Sequence, residues 1–188
     1  MELSERNFYQ TIYADGQIVK RGARLFQKRI ALIDWEDIRG KTVLDLGCNN
    51  GVMAVEAAKR GAKYVLGVDN DSCIAMAREL ADHHTLDNIS LLQMDIESEN
   101  FKNDTPPFDI VFFFAMLNHM KDKKGMLEWI DSHTLSTLYY ETNFENKVEK
   151  HLPILKAHTT FSSYIHLGES EEVKDNSYHL IKCVRTSS

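Results

Sequence analysis

The residues of this chain that could do chemistry collect where short apolar runs end. Thr42-Val43-Leu44-Asp45-Leu46-Gly47-Cys48-Asn49-Asn50-Gly51 reads as a buried strand entering a turn built from residues that tolerate positive φ. Glycine has no Cβ and asparagine enters the left-handed region readily, so Gly47, Asn49 and Gly51 can present backbone amides to a ligand. A helix starting near Val52 adds the positive end of its dipole. On its own, such a turn also suits a purely structural strand-to-helix connection. The next run, Tyr64-Val65-Leu66-Gly67-Val68-Asp69, ends in a carboxylate 18 positions beyond Gly51. That carboxylate can accept hydrogen bonds from both hydroxyls of a ribose; alternatively, Asp69, Asn70, Asp71 and Ser72 simply open the following helix. Both roles can be filled, the first by Asp69 and the second by Asp71 or Ser72. A third acid, Asp95, follows Leu91-Leu92-Gln93-Met94. There it can take a hydrogen bond from an exocyclic adenine amine, with Met94 or Ile96 against the ring, or it is a surface acid beginning a loop. The agreement of three strand ends carries more weight than any one of them.

Such positions need a scaffold that brings strand ends together. Short apolar runs alternate with helical patterns, the rhythm of βα units building a parallel sheet covered on both faces. The patterns predict strands over Thr42 to Leu46, Tyr64 to Val68, Ile89 to Met94, Asp109 to Phe114 and Leu135 to Glu141. They predict helices over Val52 to Arg60, Ser72 to His83, Lys121 to Ser132 and Glu145 to Leu155, with Gly61 as a left-handed helix stop. Thr159 to Leu167 and Ser177 to Arg185 are rich in β-formers and predict an antiparallel hairpin joined by the acidic turn Gly168 to Asn176. Ahead of the sheet, Ile18, Val19, Gly22, Leu25, Phe26, Ile30 and Ile33 recur at helical steps. They predict one amphipathic helix whose other face carries Lys20, Arg21, Arg24, Lys28 and Arg29. That basic face is either an anion-facing surface or a plain solvated one. The expected organisation is a helical preface over residues 1–39, a candidate lid through Phe8, Tyr9, Tyr13 and Trp35, and a cofactor-binding domain over residues 40–188. The aromatics could equally pack the preface onto the sheet.

The balance of the 188 residues, 43% hydrophobic and 27% charged, is that of one ordinary globular domain. With 22 basic against 28 acidic residues, the net charge of -6 disfavours broad attraction to nucleic-acid backbones or anionic membranes. Cys48, Cys73 and Cys183 form no CxxC pair, so neither a disulfide framework nor a zinc site is indicated and a reducing cytoplasm is the expected location. No membrane-length apolar stretch or secretory leader is visible.

Taken together, the glycine motif in Val43 to Gly51, the acid at Asp69 and the acid at Asp95 resemble those of the class I S-adenosylmethionine-dependent methyltransferases, and the likeness runs from about Gly40 to Arg185. The resemblance implies an α/β fold: a Rossmann-like three-layer sandwich with a seven-stranded, mostly parallel sheet of order 3-2-1-4-5-7-6 and the last strand antiparallel. It implies S-adenosyl-L-methionine as cofactor. Asp45 would orient its methionine portion, Gly47 and Gly51 would frame it with Cys48 and Asn49, Asp69 with Asn70 would hold the ribose, Asp95 with Ile96 the adenine, and the Phe114 carbonyl would face the ammonium. Asn49 stands where the family commonly has the middle glycine of GxGxG. A nicotinamide-binding GxGxxG would need glycine at Asn49 and Val52, and neither fits.

Methyl transfer from a sulfonium needs alignment of the acceptor, exclusion of water and, for a protonated nucleophile, a base. Phe112-Phe113-Phe114-Ala115-Met116-Leu117-Asn118-His119 leads from the fourth strand to His119, a residue type that takes protons near neutral pH, and Glu141 ends the fifth strand; these are the candidate bases. Each has a structural alternative, as a loop histidine and a loop-stabilising acid. Phe114-Ala115-Met116-Leu117 replaces the Asn/Asp-Pro-Pro-aromatic turn of nucleic-acid amino methyltransferases, and no cysteine ends the fourth or fifth strand to attack a pyrimidine. The expected function is transfer to an oxygen, nitrogen or carboxylate of a small molecule. An RNA modification enzyme using the basic face and a catalytically silent cofactor-binding subunit are the alternatives.

Overall fold

A computed structural model describes residues 11–14, 17–20, 22, 26–143, 148–173 and 176–186. In chain order the elements are β1 (Ile12–Ala14), β2 (Gln17–Lys20), α1 (Gln27–Leu32), β3 (Thr42–Leu46), α2 (Val52–Lys59), β4 (Tyr64–Asp69), α3 (Ile74–His83), β5 (Ile89–Gln93), α4 (Glu99–Asp104), β6 (Phe108–Phe114), α5 (Lys123–His133), β7 (Thr134–Glu141), α6 (Val148–His158), β8 (Ser163–Val173) and β9 (Asn176–Val184). β3 to β9 form one seven-stranded sheet of order β5-β4-β3-β6-β7-β9-β8. β3, β4, β5, β6 and β7 pair in parallel, and β9 inserts antiparallel between β7 and β8. Counted from β3, this is the expected order 3-2-1-4-5-7-6.

The apolar runs are continuous because both faces of each central strand are covered. Along β6, Val111 and Phe113 join the core on the face that holds Met126, Leu127, Ile130 and Leu155 of α5 and α6. Ile110, Phe112 and Phe114 alternate to the other face, against Ile33, Met53, Ala54 and Ala57 of the α1 and α2 side. Register then brings the functional positions to one rim: Asp45 lies level with Gly67 and Phe112, Asp69 with Gln93, and Phe114 with Glu141.

The segment ahead of the sheet departs from the expected long helix. Ile18 and Val19 lie in β2, paired antiparallel with β1, and only Gln27–Leu32 is helical. The reason is local: Gln17-Ile18-Val19-Lys20 places two β-branched residues between polar ones, and β-branching favours extended backbone. The Gly22 N–H donates to Thr11 Oγ1 at 3.0 Å, tying the hairpin's ends. α1 packs against β8, and Trp35 donates its indole N–H to the Ile30 carbonyl at 2.9 Å while the Arg60 guanidinium lies over its ring. Phe8, Tyr9, Arg21, Arg24 and the side chains of Tyr13 and Lys20 lie outside the described residues.

The acidic segment after Gly168 is strand as far as Val173 rather than turn, and its first acid is paired on both sides. Glu169 accepts from Lys28 Nζ at 2.6 Å and Ser177 Oγ at 2.8 Å. The short helix α4 and a 3-10 turn over Leu117–His119 were not anticipated, and α6 starts at Val148, with residues 144–147 outside those described. Gly61 has φ 94°, as a left-handed helix stop requires. Among the described residues no helix is long and apolar enough to cross a membrane.

Candidate active site

A cleft of about 630 Å³ opens at the carboxyl ends of β3, β4, β5 and β6. Asp45, Gly47, Cys48, Asn49, Asp69, Asn70, Asp95, Ile96, Phe114 and His119 all line it, so ten sequence positions spread over 75 residues converge on one wall. Gly51 and Glu141 do not line it.

The turn after β3 is held in the geometry its residues were read for. Gly47, Asn49 and Gly51 have φ of 72°, 51° and 71°. Gly47 N–H and Cys48 N–H both donate to the Val68 carbonyl, at 2.8 and 3.0 Å, so the turn folds over the end of β4. At Gly47 the missing side chain gives room to Met116, whose Cε lies 2.6 Å from where a Cβ would stand. At Gly51 the same room is taken by Ala77 of α3, with its Cβ at 2.5 Å. Gly51 therefore serves the contact of α2 with α3.

Asp69 accepts the Asn49 N–H on one oxygen at 2.8 Å and the Asp71 N–H on the other at 3.0 Å. Both oxygens are thereby fixed in orientation while each keeps lone-pair capacity for a further donor. The helix-opening role falls to Asp71, whose Oδ1 accepts the Cys73 N–H at 2.9 Å. Asp95 is exposed at the cleft edge and accepts the Glu97 N–H at 2.9 Å, with buried Ile96 beside it. Glu97 in turn accepts the Lys121 N–H on both oxygens, at 3.0 and 3.2 Å, and the Asp122 N–H at 3.1 Å, fixing the segment that follows the 3-10 turn.

Asp45 is the carboxylate of the cleft that its surroundings perturb. It is 2% exposed, and burial raises its carboxyl from the ordinary 3.8 to about 7. The Arg29 charge and a hydrogen bond from the Ala54 backbone in α2 act against that rise, while the Asp69 charge adds to it. One of its oxygens, Oδ2, is buried with no hydrogen-bond partner among the described residues, as is Asn49 Oδ1. An orphaned buried carboxylate oxygen is costly and marks a place where a donor from outside the chain fits. Burial, and then the Asp45 charge, pushes the Cys48 thiol well above its ordinary range, so it is no nucleophile.

The two candidate bases separate. His119 sits exposed in the 3-10 turn at the cleft edge, its N–H bonded to the Met116 carbonyl at 2.8 Å. Glu141 has no exposed surface and lies behind the wall. Its oxygens take Nε and Nη2 of Arg29 at 2.8 and 2.6 Å, and Ser170 Oγ donates to Oε1 at 2.6 Å. A carboxylate so enclosed and paired does not face the cleft, unlike the proton-accepting position expected of it.

Sequence patterns missed Arg29, Met116, Asn143 and Ser170. Arg29 was read as part of a basic face, although it stands three residues after Phe26 and four before Ile33, on the apolar stripe itself. It is 3% exposed, lines the cleft and lies 4.8 Å over the Phe114 ring. Asn143, 4% exposed, donates to the Ala115 carbonyl at 2.7 Å and accepts the Asn118 N–H at 3.2 Å, tying the end of β7 to the turn that carries His119. Among the described residues no three His, Cys, Asp or Glu side chains stand where they could hold a metal ion.

Residues 38–179 match the family described as a methyltransferase domain. Protein arginine N-methyltransferase 1 of Saccharomyces cerevisiae is 33% identical over 129 residues, covering 63% of this chain and 36% of that protein. A ubiquinone biosynthesis O-methyltransferase of Neisseria meningitidis is 36% identical over 94 residues, covering 48% of this chain and 38% of that one. The chain thus spans little more than a third of the length of these relatives. Among solved structures, the N-terminal domain of EvdMO1, crystallised in the presence of SAH and D-fucose, superposes with a TM-score of 0.74 at 14% identity, covering 97% of this chain and 92% of that one. At that identity the likeness speaks for the fold alone.

Proposed function

The chain belongs to the methyltransferase-domain family, and on that premise we propose that it transfers a methyl group from S-adenosylmethionine to an oxygen, nitrogen or carboxylate acceptor on a small molecule. The observation that carries this reading is the charge of the cleft. Asp45, Asp69, Asp71, Asp95 and Glu97 line it against only Arg29 and Lys121. A pyrophosphate-bearing dinucleotide would meet repulsion there, whereas a nucleoside bearing an ammonium and a sulfonium is complemented.

In this reading Asp69 accepts from the ribose hydroxyls, Asp95 and Ile96 face the adenine, and the free oxygen of Asp45 takes the ammonium. When bound, S-adenosylmethionine supplies a methyl group already activated on its sulfonium. The chain's own tasks are then to hold the acceptor in line, to exclude water with Met53, Met116 and Met120, and to accept a proton at His119 if the nucleophile carries one. The same charge argument supports a small acceptor over RNA. Of the basic residues ahead of the sheet, Lys28 is paired with Glu169 and Arg29 with Glu141, and acids outnumber bases in the cleft lining.

Titration calorimetry tests the reading. The protein should bind S-adenosylmethionine and its demethylated product, and Asp69→Ala should weaken both about 10- to 100-fold, the loss of hydrogen bonds to a charged acceptor. Failure of the wild type to bind either ligand, or an unchanged affinity in Asp69→Ala, would overturn it. Methyl release to a panel of hydroxyl, amine and carboxylate small molecules then separates an enzyme from a silent binding subunit.

A further inference from the structure

We infer that His166 and His179 form a two-histidine clip for a transition-metal ion such as Zn²⁺, on the outer hairpin of the sheet and apart from the cleft. His166 lies on β8 and His179 on β9, and neither lines the cleft. A regular antiparallel ladder with His166 opposite Ile181 would set Gly168 opposite His179. The register shifts between His166 and Gly168, which places Gly168 opposite Leu180 and Glu169 opposite His179. Such a bulge in an edge strand bends it and re-aims the side chains beside it. Here it accompanies two rings brought nitrogen to nitrogen, His166 Nε2 and His179 Nδ1 being 3.2 Å apart.

The ring geometry suits a shared ion. Two imidazoles on one tetrahedral ion, with metal–nitrogen bonds of about 2.0–2.1 Å, hold their nitrogens about 3.3 Å and their ring centroids about 5.2 Å apart. A straight N–H···N bond of the observed length would hold the centroids about 5.5 Å apart. The observed centroid separation is 5.1 Å, with the planes at 61°, so both nitrogens tilt off the line that joins them. The surrounding charge favours a cation as well, because Glu169 and Glu149 both act to stabilise positive charge at His179. Glu169 is itself held by Lys28 and Ser177. His166 is exposed and His179 half-buried, which leaves further coordination positions open to water. Two imidazoles make a clip of modest affinity rather than a closed structural centre, and imidazole suits zinc, copper and nickel. The His179 N–H donates to Thr142 Oγ1 at 3.1 Å, and its carbonyl accepts the Thr142 N–H at 2.9 Å. An ion bridging the rings would thus pin β8 and β9 together and, through Thr142, the end of β7.

Calorimetry and thermal melts of the chelator-stripped full chain near neutral pH test the clip with Zn²⁺, Ni²⁺ and Mg²⁺ alone. Zn²⁺ and Ni²⁺ should bind and raise the melting temperature; Mg²⁺, which takes oxygen ligands, should do neither. In histidine-ring 1H–15N correlation spectra of the wild type, Zn²⁺ should shift His166 Nε2 and His179 Nδ1 at lower concentration than the ring nitrogens of His83, His133 and His158. His166→Gln and His179→Gln should each weaken Zn²⁺ binding at least about 10-fold, the loss that removing even a ligand's supporting partner brings. His133→Gln should leave it unchanged. A wild type that binds no Zn²⁺ has a shared proton only between the rings, and that result overturns the inference. Zn²⁺ binding that leaves those two nitrogens unshifted, or that survives both substitutions, puts the ion elsewhere and overturns it too.

Discussion

Met116 occupies the space in which a side chain on Gly47 would begin, with its Cγ 2.7 Å and its Cε 2.6 Å from the ideal Cβ position. Because Gly47 also has φ 72°, an added methyl meets two obstacles: a clash and a left-handed backbone. Gly47→Ala should destabilise the fold by about 1–3 kcal/mol in chemical denaturation and weaken cofactor binding. Met116→Ala added to it should restore the space but not the backbone preference. Partial recovery of stability in the double variant is therefore the expected result, and full recovery would show that φ contributes nothing.

Burial raises the Asp45 carboxyl from 3.8 to about 7, so the folded protein without ligand holds that proton more tightly than the unfolded chain. Its contribution favours the folded state below about pH 4 and is lost as pH rises through about 7. Asp45→Asn, which never ionises, should match the wild type near pH 4 and exceed it at pH 8 by on the order of 4 kcal/mol in denaturation. Ligand binding runs the other way. The ammonium needs ionised Asp45, so affinity for S-adenosylmethionine should fall as pH drops below about 7, approaching tenfold per pH unit. In Asp45→Asn the affinity should be lower and flat with pH over that range. Calorimetry between pH 5.5 and 8.5 reads both.

His119 is the proton-accepting side chain that the 3-10 turn brings to the cleft lining. For an acceptor that must lose a proton, His119→Ala should lower kcat about 100-fold at saturating cofactor and leave cofactor affinity unchanged. Saturation separates this loss from the Asp45 effect, which acts on binding. An unchanged kcat at saturating cofactor would remove His119 from the chemistry.

Ala115 has φ 56° without being glycine, and it is held on both sides, its N–H by the Glu141 carbonyl at 3.1 Å and its carbonyl by the Asn143 amide at 2.7 Å. Asn143→Ala leaves that carbonyl and the Asn118 N–H without their partner, at a cost of about 1–3 kcal/mol. The turn bearing His119 should loosen, lowering kcat more than cofactor affinity. Asn143→Asp keeps the acceptor for Asn118 but loses the donor to Ala115, and should lie between. Thermal melts and steady-state kinetics on the pair check the order.

The strand ends were legible in the sequence because the signals for them are local. Val43 to Gly51 carries its own periodicity and turn chemistry, and the edges of β3 and β6 fell within a residue of expectation. Asp69 and Asp95 could be aligned with that turn because parallel strands linked by single helices end on the same rim. What could not be read was set by contacts distant in sequence. Glu141 looked like an accessible strand-end acid until Arg29, 112 positions earlier, and Ser170, 29 positions later, enclosed it. Gly51 is legible as a turn residue, but only the approach of Ala77 reveals that two helices need its missing side chain. Ile18 and Val19 matched helical spacing, but their pairing with β1 decided their conformation. Periodicity cannot arbitrate such a case, because tertiary pairing overrides a weak local preference.

The enclosure of Glu141 ties together opposite ends of the polypeptide. During synthesis, β3 and its glycine turn emerge long before Ser170, so the rim of the cleft at β3 to β5 is made while Glu141 still lacks its partner on β8. Completion of the buried Arg29, Glu141 and Ser170 cluster therefore waits for the antiparallel pair β8 and β9 to dock, which couples the finishing of the sheet to the ordering of the segment ahead of it.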